Sequence, residues 1–230
     1  MNKKSLAIIP ARSGSKRIPF KNIKIFTDKP IIYYPIKAAI EANCFDEVMV
    51  STDDQKIARI AEKFGAKIPF LRTLENSSDS ATTAEVILEV VNNYRKLGTN
   101  FDYICCLYPT SVFATSELIN KGLSILTKFE ATNSVITVQQ YSHPPQRSFK
   151  ISGSYINPTN PSNLNARTQD LVPLYHDAGQ LYWLKSTQFI KNSQIITKKT
   201  QAMILNKLEA CDIDDQEDWE LAELIFNKHK

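Results

Sequence analysis

Long apolar runs are absent from this sequence. No stretch of the 230 residues approaches the roughly 18 apolar residues that a membrane-spanning helix needs. The apolar run at residues 6–9 follows two lysines but stops at Pro10, so it is too short for the core of a signal peptide. We therefore expect a cytoplasmic protein with no membrane contact.

Cysteine and histidine are few, and they lack the spacings of metal sites. The chain has four Cys, none in a CxxC pair, and three His without ligand spacing. A zinc site and a disulfide framework are thus both disfavoured. Cys105 and Cys106 are adjacent, so on a strand they would point to opposite faces of a sheet. With 43% hydrophobic and 23% charged residues, the composition predicts one globular domain over residues 1–230.

Positive charge is local rather than general. Residues 1–29 carry eight Lys or Arg and one Asp, whereas residues 209–223 carry eight acids and no base. This distribution disfavours a nucleic-acid binder, whose basic patch would be wider and interleaved with aromatics. A basic start and an acidic end suit a site for a polyphosphate and a divalent cation if the fold brings them together. Two solvated helix faces are the alternative.

Strand and helix patterns alternate along most of the chain. Strands are predicted at residues 6–9, 47–51, 68–71, 103–107, 134–140, 180–184 and 203–205. Helices are predicted at 30–42, 54–64, 80–97, 116–128 and 216–229, with Pro30 in the first turn of the first and Asp53 capping the second. This alternation predicts an α/β fold with a parallel sheet covered on both faces. Ligands bind such sheets at the carboxyl ends of strands, which places the loops at 10–22, 52–54 and 109–115 on one rim.

One segment, residues 141–175, breaks the alternation. It is rich in Pro, Asn and Ser, and a structureless loop of that length is uncommon in a compact domain. We interpret it as a lid or as an arm that packs on another subunit.

The loop after the first strand is dense in cations. Four of them fall within ten residues: Arg12, Lys16, Arg17 and Lys21. Small residues at 13–15 offer backbone N–H groups, so the loop can surround phosphate oxygens. It matches neither the Walker A pattern nor GxGxxG. A plain solvated loop is the alternative.

An acidic pair precedes the last predicted helix. In an extended segment Asp212 and Asp214 would point to one side, with Ile213 directed into the core. Two carboxylates on one side suit a hard cation such as Mg²⁺. Water and substrate phosphate would provide the remaining ligands of the cation. Alternatively, both are residues of the helix start, as Asp215 and Glu217 are expected to be.

Together these motifs resemble the acylneuraminate cytidylyltransferase family over essentially the whole chain. The motifs are Ile9-Pro-Ala-Arg-Ser-Gly-Ser-Lys16 with Lys21-Asn22, Val50-Ser-Thr-Asp53, Pro109-Thr-Ser111 and Asp212-Ile-Asp214. Arg147, Arg167-Thr-Gln-Asp170 and Tyr175-His-Asp-Ala-Gly-Gln-Leu-Tyr-Trp183 are most similar to the pseudaminic acid branch. The chain departs from the sialate enzymes at Tyr108-Pro-Thr-Ser-Val112 and at His176-Asp177, which disfavours sialic acid as substrate.

The resemblance implies a Rossmann-like nucleotidyltransferase fold with a mostly parallel sheet. It implies a reaction of CTP with a nine-carbon 2-keto sugar acid, which gives a CMP-sugar and pyrophosphate with Mg²⁺ as cofactor. It also implies a homodimer, in which the segment 141–175 would be an arm that reaches the partner's site.

The resemblance further assigns site residues. The nucleotide would be held by Arg12, Ser15, Lys16, Lys21, Asn22, Thr82 and Thr83, although the two threonines would equally suit a helix N-terminus. The predicted catalytic residues are Lys21, Arg12 and Asp214, and the predicted metal ligands are Asp212 and Asp214. The predicted sugar-binding residues are Arg147, Arg167, His176, Asp177 and Gln180. His176 could instead be structural, and Tyr182 and Trp183 are expected in the core.

Other functions remain open at this point. Within the same fold the chain could be a CMP-sialate, CMP-legionaminate or CMP-Kdo synthetase. In another class, it could be a non-catalytic nucleotide-binding module. Loss of an acidic partner or of a loop lysine would favour that reading, but the sequence has both the acidic residues and the loop lysine.

Overall fold

The computed structural model describes residues 3–228. These residues form ten strands, which are β1 (Ser5–Pro10), β2 (Ile25–Phe26), β3 (Lys29–Pro30), β4 (Glu47–Ser51), β5 (Tyr103–Leu107), β6 (Ser134–Gln140), β7 (Phe149–Ser152), β8 (Tyr155–Pro158), β9 (Tyr175–Lys185) and β10 (Thr200–Leu205). The six helices of the same residues are α1 (Tyr33–Glu41), α2 (Gln55–Lys63), α3 (Thr83–Lys96), α4 (Ser116–Lys128), α5 (Ser186–Asn192) and α6 (Gln216–Lys228).

Six strands make a central sheet in the order β10-β6-β9-β5-β1-β4. β1 runs parallel to β4 and β5, and β10 runs parallel to β6, whereas β9 is antiparallel to both of its neighbours. β1 and β5 are buried almost throughout because helices cover both faces, as is usual for parallel strands. The prediction of a mostly parallel α/β sheet is thus confirmed.

The two faces of the sheet pack into separate apolar clusters. Ala7 and Ile9 of β1 belong to one cluster with residues of α1, α2 and α4, while Leu6 and Ile8 belong to the other with residues of α3 and α5. Cys105 and Cys106 lie in different clusters, as their adjacency predicts. Burial raises the pKa of both thiols, that of Cys106 to about 12. All four cysteines are free.

A third cluster lies at the carboxyl edge of the sheet. It joins Phe26 of β2, Trp219 of α6 and Ile213. Phe26 and Trp219 meet edge to face with their ring centroids 5.5 Å apart. This cluster fixes the start of α6 against the loop after β1, so it brings the two ends of the sequence together.

Three local predictions are wrong. Pro30 lies in β3, opposite Ile25, and α1 begins at Tyr33. Residues 68–71 form no strand, and only an isolated bridge joins Lys67 to Met49. Pro69 has no N–H to continue that ladder. The cap of α2 is Asp54 rather than Asp53, since the Asp54 carboxylate accepts from the N–H groups of Lys56 and Ile57.

Structure is also present where none is predicted. The segment 141–175 holds the β7–β8 hairpin and several short 3-10 turns, and we call it the arm. β9 begins five residues before its predicted start, and α5 follows it directly. The last helix is described to Lys228, so its predicted end at His229 lies outside the described residues. Within residues 3–228, no helix is both long and apolar enough to cross a membrane.

Candidate active site

A cavity of about 560 Å³ opens at the carboxyl ends of β1 and β5. We call it the strand-end pocket. The loop 10–22 contributes Arg12, Ser15, Lys16, Arg17, Lys21 and Asn22 to its wall, and the opposite wall includes Arg72, Asp79, Thr83, Tyr108, Asp212 and Asp214. The volume is in the range of small-molecule and cofactor sites.

Two side chains hold the loop 10–22 in place. The Asn22 side-chain amide donates to the Arg12 carbonyl at 2.8 Å. The Asp53 carboxylate accepts from the Ser13 N–H at 3.0 Å and from the Ser13 hydroxyl at 2.7 Å. Asp53 therefore ties this loop to the end of β4, and this tertiary contact explains why Asp54 is left to cap α2.

Asp79 is the counter-ion of the loop cations. Its carboxylate is 2.7 Å from Arg12 Nη1 and also pairs with Lys16. These hydrogen bonds, first from Lys16 and then from Arg12, lower the pKa of Asp79. Sequence patterns do not predict this role, because nothing in the residues around position 79 marks it. Its position shows that an anionic group fits between the two cations.

Lys21 joins the loop to the acidic pair. Its Nζ donates to the Ile213 carbonyl at 2.7 Å and lies 3.7 Å from Asp214 Oδ1. Arg17 Nη2 lies 2.7 Å from the same Asp214 oxygen. Partial burial lowers the pKa of Lys21. The structure thus brings the basic start and the acidic end of the sequence into one site.

The acidic pair adopts the predicted arrangement. Ile213 is 0% exposed, while Asp212 and Asp214 both line the strand-end pocket. Asp215 and Asp218 form the start of α6 instead, since each carboxylate accepts from the other's N–H. Desolvation, and then the charge of Asp214, raise the pKa of Asp212.

The chemistry of this pair fits a hard cation. Among residues 3–228 there is no cluster of three or more His, Cys, Asp or Glu that could hold a metal. Mg²⁺, however, is commonly held by one or two carboxylates, with substrate phosphates and water as its other ligands. Asp212 and Asp214 supply that number of carboxylates, and the nearby loop cations can pair with phosphate oxygens.

Two further residues of the pocket escaped the sequence analysis. Arg72 is only 7% exposed, and its guanidinium donates to the hydroxyl and carbonyl oxygens of Ser51. Burial lowers its pKa. Tyr108 shares a 2.8 Å hydrogen bond with the Thr83 hydroxyl. A lone Arg after an incorrectly predicted strand carries no motif, and the run from Tyr108 to Val112 predicts no contact for its tyrosine, so only the tertiary structure reveals the surroundings of these two residues.

The two predicted threonines differ in their surroundings. Thr82 caps α3, and its side chain and N–H form a capping box with Glu85. Thr83 lines the strand-end pocket. The alternative reading as a helix-start residue therefore fits Thr82 better, whereas Thr83 is placed to contact a ligand.

The predicted sugar-binding residues on β9 lie beside the pocket rather than in its wall. The Asp177 carboxylate accepts from the Gly179 N–H and the Tyr182 hydroxyl. His176 Nδ1 is 2.8 Å from the Asp177 carbonyl oxygen. Gln180 is 1% exposed, and its amide donates to the Glu209 carbonyl at 3.1 Å. Gln180 is thus enclosed beneath the segment that leads to Asp212.

Both predicted carboxylate-binding arginines belong to the arm. Arg147 donates to the Ala166 carbonyl and to the Thr168 hydroxyl. Arg167 pairs with Asp170 through two nitrogens, at 2.7 and 3.1 Å. Neither arginine lines the strand-end pocket.

Comparisons with known proteins agree with this geometry. The family described as Cytidylyltransferase matches residues 6–229. A pseudaminic acid cytidylyltransferase from Campylobacter jejuni subsp. jejuni serotype O:2 is 36% identical over 97% of this chain and 96% of its own length. A CMP-N,N'-diacetyllegionaminic acid synthase from Legionella pneumophila subsp. pneumophila is 33% identical over 96% of this chain and 95% of its own length.

The fold is also that of solved nucleotidyltransferases. A structure of a CMP:2-keto-3-deoxy-manno-octonic acid synthetase complexed with CTP matches with a TM-score of 0.72 at 16% identity, covering 99% of this chain and 100% of that chain. At this identity the likeness concerns the fold alone. It confirms the predicted Rossmann-like nucleotidyltransferase sheet.

Proposed function

The chain belongs to the cytidylyltransferase family, and we propose that it joins CTP to pseudaminic acid. It is a CTP-dependent nucleotidyltransferase, and its products in this proposal are the CMP-sugar and pyrophosphate. The observation that carries the proposal is the convergence of the loop cations and the acidic pair on one pocket, where Lys21 contacts both.

The reaction needs no nucleophilic side chain. The anomeric hydroxyl of the sugar forms a bond to the α-phosphorus of CTP, the bond from that phosphorus to the β-phosphate oxygen breaks, and the hydroxyl proton passes to solvent. Catalysis of this kind depends on alignment and on stabilisation of charge. Arg12 and Lys16 bind phosphate oxygens in place of the Asp79 carboxylate, and Lys21 stabilises charge at the transferred phosphorus.

Asn22 and Asp53 keep the loop in the conformation that directs these cations inward. Ser15 and Thr83 contribute hydroxyl groups to the wall and contact the nucleotide. Thr82 caps α3, and in this way it holds the start of the helix, which carries Thr83, at the edge of the pocket.

Asp212 and Asp214 would hold Mg²⁺. The bound cation would neutralise phosphate charge and lower the pKa of the attacking hydroxyl. Lys21 and Arg17 pair with Asp214, and these contacts keep its carboxylate directed at the pocket.

The sugar site and the homodimer belong to the same proposal. Asp177 and His176 lie near the start of β9, and the Asp177 carboxylate is close enough to Asp212 to influence its charge. In this proposal the two residues form hydrogen bonds with hydroxyl and acylamino groups of the sugar. Arg147 or Arg167 binds its carboxylate in the partner's site, because the arm carries both arginines away from the pocket of their own subunit. The single domain with an arm, the homodimer and the cytoplasmic location remain predictions.

Pyrophosphate release by the purified protein tests the proposal. With CTP, Mg²⁺ and pseudaminic acid we expect sustained release, and with GTP in place of CTP we expect only the background rate. N-acetylneuraminic acid, legionaminic acid and Kdo are compared in parallel.

Preference for legionaminic acid would retain the transferase and change the substrate, a result that the similarity to the Legionella enzyme makes the leading alternative. Binding of CTP without turnover on any of the sugars would overturn the proposal and favour a nucleotide-binding module.

A further inference from the structure

The core of the sheet contains a buried phenol bonded to a carboxylate at the edge of the site. Tyr182 of β9 is 2% exposed, and its hydroxyl lies 2.9 Å from each oxygen of Asp177. The Tyr182 ring also packs on that of Tyr108, with centroids 5.2 Å apart. Tyr108 in turn contacts Thr83 in the pocket wall. Tyr182 is therefore a core residue by burial, but its polar atom faces the site.

A regular strand could not bring these two residues together. Asp177 and Tyr182 are five positions apart on β9, so in regular geometry they would point to opposite faces about 17 Å from each other. Opposite them, β6 advances by only two residues, from Ile136 beside Tyr182 to Val138 beside Asp177. The extra residues of β9 form a bulge, which we call the β9 bulge (residues 178–181). It folds Asp177 back over the Tyr182 hydroxyl.

The β9 bulge is fixed by its own backbone and by the acidic pair. Gly179 has a φ of +63°, which a residue with a side chain rarely adopts. Its N–H donates to Asp177 Oδ1 at 2.9 Å. A Cβ at this position would lie 3.3 Å from Asp212 Cγ. The bulge thus places the Asp177 carboxylate immediately beside the acidic pair, and bulges that redirect a side chain are frequent next to active sites.

Asp177 retains the capacity to bind a ligand. A carboxylate can accept about four hydrogen bonds, and its recorded donors within residues 3–228 are the Tyr182 hydroxyl and the Gly179 N–H. Asp177 itself is exposed. A ligand hydroxyl or amide can therefore reach the remaining lone pairs, while the buried phenol holds the carboxylate in one orientation.

We propose that Tyr182 is a positioning residue that orients Asp177 toward the sugar, so that the β9 bulge determines which nonulosonic acid is accepted. This inference rests on the proposed function. The phosphates of the nucleotide are held by the loop 10–22 rather than by β9, so loss of the phenol hydroxyl is expected to affect sugar binding and to spare CTP binding.

The variant Tyr182→Phe tests this, because it removes the hydroxyl and keeps the ring. We expect the KM for pseudaminic acid to rise about tenfold, the size expected for one hydrogen bond to a charged group, with the KM for CTP unchanged. The matched control is Tyr94→Phe. Tyr94 is a second buried phenol that donates to a carboxylate, that of Glu47 at the start of β4, and we expect its loss to leave both KM values unchanged.

A double-mutant cycle with Asp177→Ala, which removes both acceptor oxygens, separates positioning from a structural effect. The single variant Asp177→Ala is expected to raise the KM for the sugar, and adding Tyr182→Phe should then have no further effect. Asp177 is exposed, so the variant at this position remains informative even if Tyr182→Phe lowers the melting temperature.

An equal rise in the KM values for the sugar and for CTP, or additive effects in the cycle, would overturn the inference. If wild type turns over no nonulosonic acid, the proposed function fails and this inference fails with it; wild-type turnover with an unchanged sugar KM in Tyr182→Phe overturns the inference alone.

Discussion

The strand-end pocket and the arm differ in how far apart in sequence their contacting residues are, and the arm also exposes large apolar side chains. In the pocket, contacts join residues far apart in sequence, such as Lys21 with Ile213 and Ser13 with Asp53. In the arm, contacts are local, such as Arg167 with Asp170. Apolar side chains of the hairpin face solvent, and Ile151 and Tyr155 are each 79% exposed.

This difference shows which part of the site one subunit can complete by itself. The side of the pocket that carries the loop cations and the acidic pair is assembled within a single chain, where each cation of the loop has a carboxylate or carbonyl partner. The arm leaves apolar surface uncovered, and contiguous apolar patches of this kind commonly mark an interface. A second copy of the chain is the occupant we propose, so the sugar side would be complete only in the dimer.

The largest effect is expected at the acidic pair. Asp214→Asn should reduce pyrophosphate release by at least about a hundredfold, because it removes a charge that binds the cation and orients Lys21. The control is Asp215→Asn, since Asn is an equally good helix cap and this position caps α6. Near-normal turnover in Asp214→Asn would contradict the assignment of Asp214 as a metal ligand.

The next largest effect is expected at the loop lysine. Lys21→Ala should lower kcat by about a hundredfold, as expected for a group that acts on developing charge, with a much smaller change in melting temperature. Lys24→Ala is the matched control, because Lys24 packs over the Trp219 ring outside the pocket, with its Nζ 4.6 Å from the ring centroid. If the lysine at 21 were structural, stability and turnover would fall together.

The contribution of the arm can be separated from that of the pocket by mixing two impaired variants. The double variant Arg147→Ala/Arg167→Ala lacks the arm cations, and Asp214→Asn lacks a pocket carboxylate. Refolded together, they should form mixed dimers with one intact site each, which restores about a quarter of wild-type activity if subunits pair at random. Arginines that serve their own subunit would give no restoration.

Assembly itself should depend on the hairpin. Ile151→Glu places a charge in the exposed apolar surface and should shift the mass in solution from two chains to one, with a loss of turnover of about tenfold. Leu224→Glu is the control, since this residue is 72% exposed on α6 and lies away from the arm. A wild-type chain that is monomeric at micromolar concentration would contradict the dimer.

The smallest effect is expected at the internal counter-ion. Asp79→Asn should lower the KM for CTP about two- to threefold, because an exposed ion pair competes only weakly with phosphate. Glu41→Gln is the control, since it breaks another exposed pair, with Lys37 on α1. A higher KM in Asp79→Asn would indicate that the carboxylate organises the loop rather than competing with the ligand.

Sequence patterns predicted which loops meet at one edge of the sheet for a physical reason. β1 and β5 are buried on both faces and end at one rim, so their apolar runs and the polar loops that follow are easily read. Ile213 between two aspartates predicts its own burial by the alternation of an extended segment. Two of the residues that the sequence patterns did not predict, Arg72 and Asp79, are defined by partners 21 and 67 positions away.

Local patterns also failed where a tertiary contact competes with a local one. Asp53 and Asp54 are equally suited to cap α2, and the contact of Asp53 with Ser13 decides between them. The β9 bulge breaks the period of two on which strand prediction depends, so the sequence located only the second half of β9. The hairpin of the arm has no buried face in one subunit, and without such a face the apolar pattern of its strands has no simple interpretation.

The most direct test of the central claim follows the phosphorus atoms of CTP. With CTP labelled at the α-phosphate, together with Mg²⁺ and pseudaminic acid, we expect the label in the CMP-sugar. With CTP labelled at the γ-phosphate, we expect the label in pyrophosphate. Both signals should require the sugar and should be lost in Asp214→Asn. Release of the γ-label as inorganic phosphate, or release that does not depend on the sugar, would contradict attack at the α-phosphorus in the strand-end pocket.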